Sequence, residues 1–345
     1  MTVNYSIIDN LCRQAQILNE DELKIFLSKL DPAAKEHLQT EIFNSLSHNI
    51  NDGVEYCPHC GSIRVNKYGS FHGSQRYKCR DCKKTFTNTK NSMFFHFRKD
   101  YEQKFKKYIE CMVNKLSLHR SEEVCDISYR CSFVWRHKIL AVITKFAEND
   151  KITGLVECDD TYFSKCFKGN HKHFQLPRKA RVRGFAHWVG DSPGVSQDKV
   201  CLSTAVGRNK SIVNGILGYG NPSSGAIWNL YHNKIECVEK TMFIVDGWKG
   251  YIPFARTMGL ELKRLVMPNR KENDHSPVVR GKYHLQNVNN YHSQIKHIIN
   301  DHYKGVATKY LLVYVNFVKW LRINNQGFNI SVQSMLNICL RTVHK

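Results

Sequence analysis

The stretch Gly154-Leu155-Val156-Glu157-Cys158-Asp159-Asp160-Thr161-Tyr162-Phe163 decides how the rest of the chain is read. Leu155 and Val156 form an apolar run, Thr161, Tyr162 and Phe163 favour extended backbone, and adjacent carboxylates stand between them. That pattern predicts a buried strand delivering acid groups toward its own end. Isolated charges are expensive to bury, so carboxylates at such a place are paired, hydrogen-bonded or bound to a metal. Taken alone, the stretch fits an Asp pair closing the strand in a solvated turn equally well.

Working outward, Thr241–Val245 is a second apolar strand, and it runs into Asp246-Gly247-Trp248, an aspartate with a turn signal behind it. Between His284 and His302 the apolar residues Val288, Tyr291, Ile295 and Ile298 fall at helical spacing and predict a buried stripe. Asn289, His292 or Ser293, and Lys296 then share a neighbouring face of the same helix. Aspartates on two strands and a polar group on a later helix can converge on one point. Oxygen donors arranged so suit two hard divalent cations.

A chain of 345 residues holds about two or three domains. Its net charge of +21 calls for a polyanionic partner, nucleic acid or an anionic membrane surface. No apolar run reaches transmembrane length and the N-terminus lacks a signal-peptide pattern, so a cytoplasmic protein without a membrane anchor is expected. Of 13 cysteines four are tightly organised; scattered ones such as Cys12, Cys111 and Cys339 read as buried free thiols.

Those four are Cys57-Pro-His-Cys60 and, after 18 residues, Cys79-Arg-Asp-Cys82. Paired knuckles at this separation predict a tetrahedral four-thiolate zinc site in a ribbon over residues 54–90, with Tyr68-Gly69 and Gly73-Ser74 as turn signals. A redox dithiol is the weaker reading, and His59 and His72 are weaker ligand choices. Residues 1–50 predict two amphipathic helices without visible chemistry. Over 100–147 the apolar stripe Phe105, Tyr108, Ile109 and Met112 predicts one helix, and two shorter segments follow. Those segments, near 121–126 and from Ser132 through Leu140, suggest a helix-turn-helix presenting Arg130, Arg136, His137 and Lys138 to DNA. Three ordinary packed helices are the alternative. Behind the first acidic strand comes the dense basic run with Arg178, Lys179, Arg181 and Arg183, suited to phosphate contacts. Further strands are expected at 199–206, 226–231 and 260–266, a strand or short helix at 211–217, a helix at 250–258, a linker at 267–283, and a largely helical stretch from Tyr303 to Arg322. The end, 326–345, reads as a tail.

In sum the sequence resembles bacterial insertion-sequence transposases of the ISXO type, with an N-terminal zinc ribbon and a DDE-like catalytic domain. The resemblance runs from about residue 55 to 322. It rests on the Lys83-Lys-Thr-Phe-Thr87 end of the ribbon, Glu157-Cys-Asp-Asp-Thr-Tyr-Phe163, Lys168-Gly-Asn-His171 and Leu176-Pro-Arg-Lys-Ala-Arg181. Val245-Asp-Gly-Trp248, Asn287-Val-Asn-Asn-Tyr-His-Ser-Gln-Ile-Lys296 and Gly305-Val-Ala-Thr-Lys-Tyr-Leu311 complete it. The fold it implies over 150–325 is ribonuclease-H-like, a five-stranded mixed sheet with flanking helices in an α+β class. Carried over residue by residue, the catalytic positions are Asp159, Asp246 and Asn289, followed by Lys296. Asn289 stands where most such enzymes have Glu, and Asp160 where the family more usually has Glu. The metal cluster is then one negative charge poorer, a deficit for Glu157, Asp160 or the DNA phosphate to cover. His284 and Asn287 flank the site as structural groups.

What the resemblance implies is a DNA transposase using Mg²⁺ or Mn²⁺ at Asp159, Asp246 and Asn289, with structural Zn²⁺ at Cys57, Cys60, Cys79 and Cys82. Its partners would be terminal inverted repeats and target DNA, in a homodimer or larger assembly associated with the nucleoid. Two rivals stand beside it: an inactive DNA-binding regulator, favoured by Asn289, and a metal-dependent nuclease without strand transfer.

Overall fold

The computed structural model describes residues 54, 56–71, 74–87, 90, 94, 102–147, 150–169, 199–266, 279, 281–325 and 327–341. The helices expected over 1–50, His72, the segment with Arg178, Lys179, Arg181 and Arg183, and most of the 267–283 linker lie outside the described residues. The chain separates into two compact units, residues 1–106 with 332–345, and residues 107–331.

In the first unit β1 (Val65–Phe71), β2 (Ser74–Cys79) and β3 (Thr85–Thr87) form an antiparallel sheet in that order. Period-two alternation turns Tyr77 and Cys79 inward, where they meet Phe86 and Cys57 in a small core. The Tyr77 and Phe86 rings stack with centroids 6.0 Å apart. Arg76 and Lys78, one step out of phase, line the other face, and the Lys78 ammonium lies 4.9 Å from the centre of the half-exposed Tyr68 ring.

Helices α1 (Glu102–Val113), α2 (Leu118–Cys125) and α3 (Tyr129–Ala147) follow. The stripe Phe105, Tyr108, Ile109 and Met112 is buried throughout. The Ser117 hydroxyl caps α2 by accepting the Arg120 N–H at 3.2 Å, and Asp126, left-handed at φ 49°, ends it. The connection to α3 is therefore three residues, 126–128. Arg136, expected at a DNA surface, is only 1% exposed. It donates to the Leu116 carbonyl at 2.7 Å and the Ser121 hydroxyl at 3.1 Å, and its guanidinium lies 5.3 Å from the Tyr303 ring centre. The reason is phase: Ser132, Trp135, Arg136 and Ile139 recur at helical spacing on the inward face, and Val134 is turned out. Arg130 is exposed and Lys138 half-buried.

The second unit is built on a five-stranded mixed sheet. Its strands are β4 (Gly154–Ser164), β5 (Lys199–Gly207), β6 (Ile212–Tyr219), β7 (Thr241–Val245) and β8 (Glu261–Arg264), in the order β6-β5-β4-β7-β8. β4 pairs antiparallel with β5, and β5 with β6, while β7 and β8 run parallel to β4. Between β6 and β7 lies α4 (Ser224–Tyr231), where a strand was expected. Ser223 caps it by accepting the Ala226 N–H at 3.2 Å, and the buried Ile227 and Tyr231 are one helical turn apart, a period a strand cannot use. α5 (Tyr251–Met258) follows β7 and ends at left-handed Gly259.

One sheet face, with Val156, Cys158, Ala205, Phe243 and Val245, packs on Ile227 and Tyr231 of α4 and Phe254 of α5. On the other face lie α6 (Gln286–Lys296), continued by a π-helical turn over His297–His302, and α7 (Leu311–Ile323). In this layer Tyr291 accepts from Asn214 Nδ2 of β6 at 3.2 Å and donates to the Val315 carbonyl of α7 at 3.4 Å. The expected tail carries α8 (Phe328–Arg341), whose Val332, Met335, Leu336 and Cys339 are buried at helical spacing. Among the described residues no helix is long and apolar enough to cross a membrane.

Candidate functional site

The site grows from β4, which presents alternate residues to opposite faces. Cys158 and Asp160 face α4 and α5; Glu157 and Asp159 face α6. The pairing of Glu157 with Ile244, carried two residues on, brings Asp246, just past the end of the neighbouring parallel strand, toward Asp159. Asp246 is exposed at the start of a turn, its Oδ1 accepting the Trp248 N–H at 2.9 Å.

Asp159 is largely enclosed, its side chain 23% exposed. Burial pushes its carboxyl up to about 7; the Asp160 N–H opposes this, Asp246 and Asp160 add to it, and Lys296 opposes it again. Lys296 and Asn289 are both exposed on α6, seven residues apart and so on one face. Between them His292 is buried, with Nδ1 3.6 Å from Asp159 Oδ2 and Nε2 without a hydrogen-bond partner. Burial, aided by Lys296, lowers the His292 imidazole to about 3, so it faces Asp159 as a neutral ring. The structure thus brings Asp159, Asp246 and Lys296 within one electrostatic neighbourhood.

Asp160 is turned away from α6. Its Oδ1 accepts from the Tyr251 hydroxyl at 2.8 Å, and Ser203 Oγ links Tyr251 at 2.8 Å to Tyr231 at 2.9 Å. Burial raises the Asp160 carboxyl, against these hydrogen bonds and with help from Asp246. Glu157 is fully buried, and its carboxylate is taken up by Asn287, Val288, Arg208 and His284. Neither residue therefore occupies the place of an extra ligand beside Asp159. Tyr251, Ser203 and Arg208 carry no sequence signal for these contacts. Each is an ordinary strand, helix or turn residue until the sheet pairs.

A second site lies in the first unit. Cys57 Sγ is 3.6 Å from Cys82 Sγ and Cys60 Sγ 3.6 Å from Cys79 Sγ, with all four sulfurs within 4.8 Å of one another. Four thiolates around zinc at bonds of about 2.3 Å would stand about 3.8 Å apart, so the geometry is compatible with structural zinc. Each knuckle also turns a backbone N–H on its first sulfur, His59 to Cys57 and Asp81 to Cys79, both at 3.4 Å. Burial opposes ionisation of Cys79, but the backbone N–H groups of Cys82 and Asp81, together with the Cys60 and Cys82 thiols, bring it to about 6. Among the described residues this is the only group of three or more Cys, His, Asp or Glu side chains so closely gathered, so the acids of β4 and β7 stand near one another without closing a cage.

No protein-family model matches the sequence. Over 131 residues the chain is 27% identical to an uncharacterized protein in transposable element ISH50 of Halobacterium salinarum, covering 38% of this chain. It spans only 42% of that relative's length. Among solved structures it is similar, at a TM-score of 0.24 and 8% identity, to a chain in the crystal structure of a pre-cleavage Mos1 transpososome, covering 69% of this chain and 78% of that one. A score so low carries no argument.

Proposed function

We propose that this chain is a transposase of an insertion element, cutting and joining DNA strands by divalent-metal-dependent phosphoryl transfer on a ribonuclease-H-like scaffold. The observation that carries the reading is Asp159 at mid-sheet, near Asp246 just past the end of the adjacent parallel strand and facing the helix of Asn289 and Lys296. The order β6-β5-β4-β7-β8, three strands antiparallel and two parallel, supports the fold, and the relative within a transposable element supports the substrate class.

Two carboxylates and an amide oxygen are donors of the kind Mg²⁺ or Mn²⁺ takes. An Asp159 carboxyl raised to about 7 is a charge in want of a counter-ion, so the residues fit. Bound there, such cations supply Lewis acidity at phosphoryl oxygens and acidify water. The chain's own groups do the rest. Asp159 and Asp246 fix the cations from the rigid sheet, and Asn289 adds an oxygen without adding charge. Lys296, exposed one turn beyond His292, meets the scissile phosphate. Neutral His292 covers one side of Asp159. The cysteine knuckles hold zinc as a structural element. The ribbon and the α2–α3 pair recognise terminal inverted repeats, while Arg130, Lys138 and the segment with Arg178, Lys179, Arg181 and Arg183 contact phosphates. Joining two ends requires at least two copies.

The test is metal-dependent cleavage of a pre-bound DNA end. Asn289→Ala is expected to lose cleavage by a factor of at least about 100 while DNA affinity holds. Wild-type-like cleavage by that variant removes Asn289 from the active site. An unmutated chain that binds the end and never cuts it is a regulator, and one that cuts without joining is a nuclease.

A further inference from the structure

We infer that Glu157 is a positioning residue: its buried carboxylate ties the strand of Asp159 to the first turn of the helix carrying Asn289 and Lys296, and so sets the spacing of the active site. The inference deepens the reading above and rests on it for the catalytic consequence, though not for the bracket itself.

The first amides of an α-helix have no partner within it, and a side-chain oxygen at the N-cap usually satisfies them. At α6 the N-cap is Leu285, which makes no side-chain cap. Glu157, 130 residues earlier in the chain, takes that role: Oε2 accepts the Asn287 N–H at 2.7 Å and the Val288 N–H at 3.1 Å. Oε1 accepts Asn287 Nδ2 at 2.7 Å and Arg208 Nη2 at 2.9 Å, with His284 Nδ1 at 3.3 Å. A carboxylate has about four lone-pair sites, and these five contacts exhaust them, so no oxygen is left for a cation. Arg208, in the turn between β5 and β6, balances the charge and also donates to the Lys282 carbonyl at 3.2 Å, drawing in the chain that enters α6.

Geometry makes the bracket matter. Asp159 is two residues beyond Glu157 on the same strand face, and Asn289 is the residue after Val288. Any slide of α6 along β4 would change the separation of Asp159 from Asn289 and Lys296, and the Glu157 contacts oppose that slide at the end nearest Asn289. Misplacement by about 1 Å is enough to cost on the order of 100-fold in rate.

The test has two arms on the full-length, zinc-loaded chain. Hydrogen exchange without DNA or added magnesium is expected to show loss of protection by about tenfold or more over 286–290 in Glu157→Ala, with α7 unchanged. On a pre-bound DNA end, the same variant is expected to lose turnover on the order of 100-fold, with affinity for the end within about twofold of wild type. Glu157→Gln keeps one acceptor oxygen for the two amides but turns an NH₂ toward Arg208 and Asn287 Nδ2, so it is expected to recover part of the protection over 286–290 and less of the turnover. Should Glu157→Ala not fold, Arg208→Ala replaces it, with the same helix start loosened and the same split between turnover and affinity. Unchanged protection over 286–290, or turnover lost only in step with DNA affinity, overturns the inference. A wild-type chain that never cleaves refutes the active-site reading instead, and the exchange result then decides the bracket on its own.

Discussion

Replacing Asp159 by Asn removes a charge and almost nothing else, and the fold responds in a direction opposite to function. In the folded chain without metal the Asp159 carboxyl is pushed from 3.8 to about 7, first by burial and then by Asp246 and Asp160. Between those two values the unfolded chain has released the proton while the folded chain still holds it, so stability falls as pH rises through the window. Below pH 4 the residue costs nothing; above 7 the full cost is present. A gap of about three pH units at about 1.4 kcal/mol each gives an upper value near 4 kcal/mol. The side chain keeps 23% of its exposure, and solvent screening brings the expectation to about 2–3 kcal/mol. Asp159→Asn is therefore expected to melt roughly 5–10 °C above wild type at pH 8, with the difference shrinking toward zero near pH 4. The assay is thermal unfolding of both proteins across that range in magnesium-free buffer, without a chelator, so that the proposed zinc at the cysteine site is left in place. Millimolar magnesium at pH 8 should then raise the melting temperature of wild type and leave the variant unmoved. A variant equal to or less stable than wild type at pH 8 would refute the argument that Asp159 is a destabilised, counter-ion-seeking charge.

Two further outcomes follow from the geometry. Cys79→Ser removes one of four gathered sulfurs from a sheet whose own core is little more than Tyr77 and Phe86, so elemental analysis should find the zinc lost and the ribbon's amides unprotected; full zinc content in that variant counts against the assignment. Arg136→Ala leaves the Leu116 carbonyl unpaired beside a cavity and should cost about 3 kcal/mol in urea unfolding, whereas exposed Arg130→Ala should leave stability intact and weaken DNA binding at low salt; the reverse pattern would put Arg136 at the surface.

Much of this molecule is local in origin. The cysteine knuckles, the strand of Glu157 to Phe163, the aspartate behind Thr241–Val245 and the helical stripe of Val288, Tyr291 and Ile295 are all legible from residue type and spacing, because period and turn chemistry act over a few residues. The failures share one cause. Phase within a helix, and the partner of a buried polar group, depend on what lies across the packing interface. Thus Arg136 reads as a basic contact until α1 and α2 close over it, and 226–231 and 326–345 read as strand and tail because a short apolar run does not by itself separate the period of a strand from that of a helix.

The sequence by itself determined which residues carry ionisable and ligating chemistry, and on which kind of element. Tertiary structure alone decided their company. Strand alternation sends Asp159 to α6 and Asp160 to Tyr251, the parallel register sets Asp246 beside Asp159, and Glu157 becomes a helix cap instead of a ligand. A carboxylate's role is fixed by the donors, charges and water within a few ångströms, and those arrive from residues more than 130 positions away.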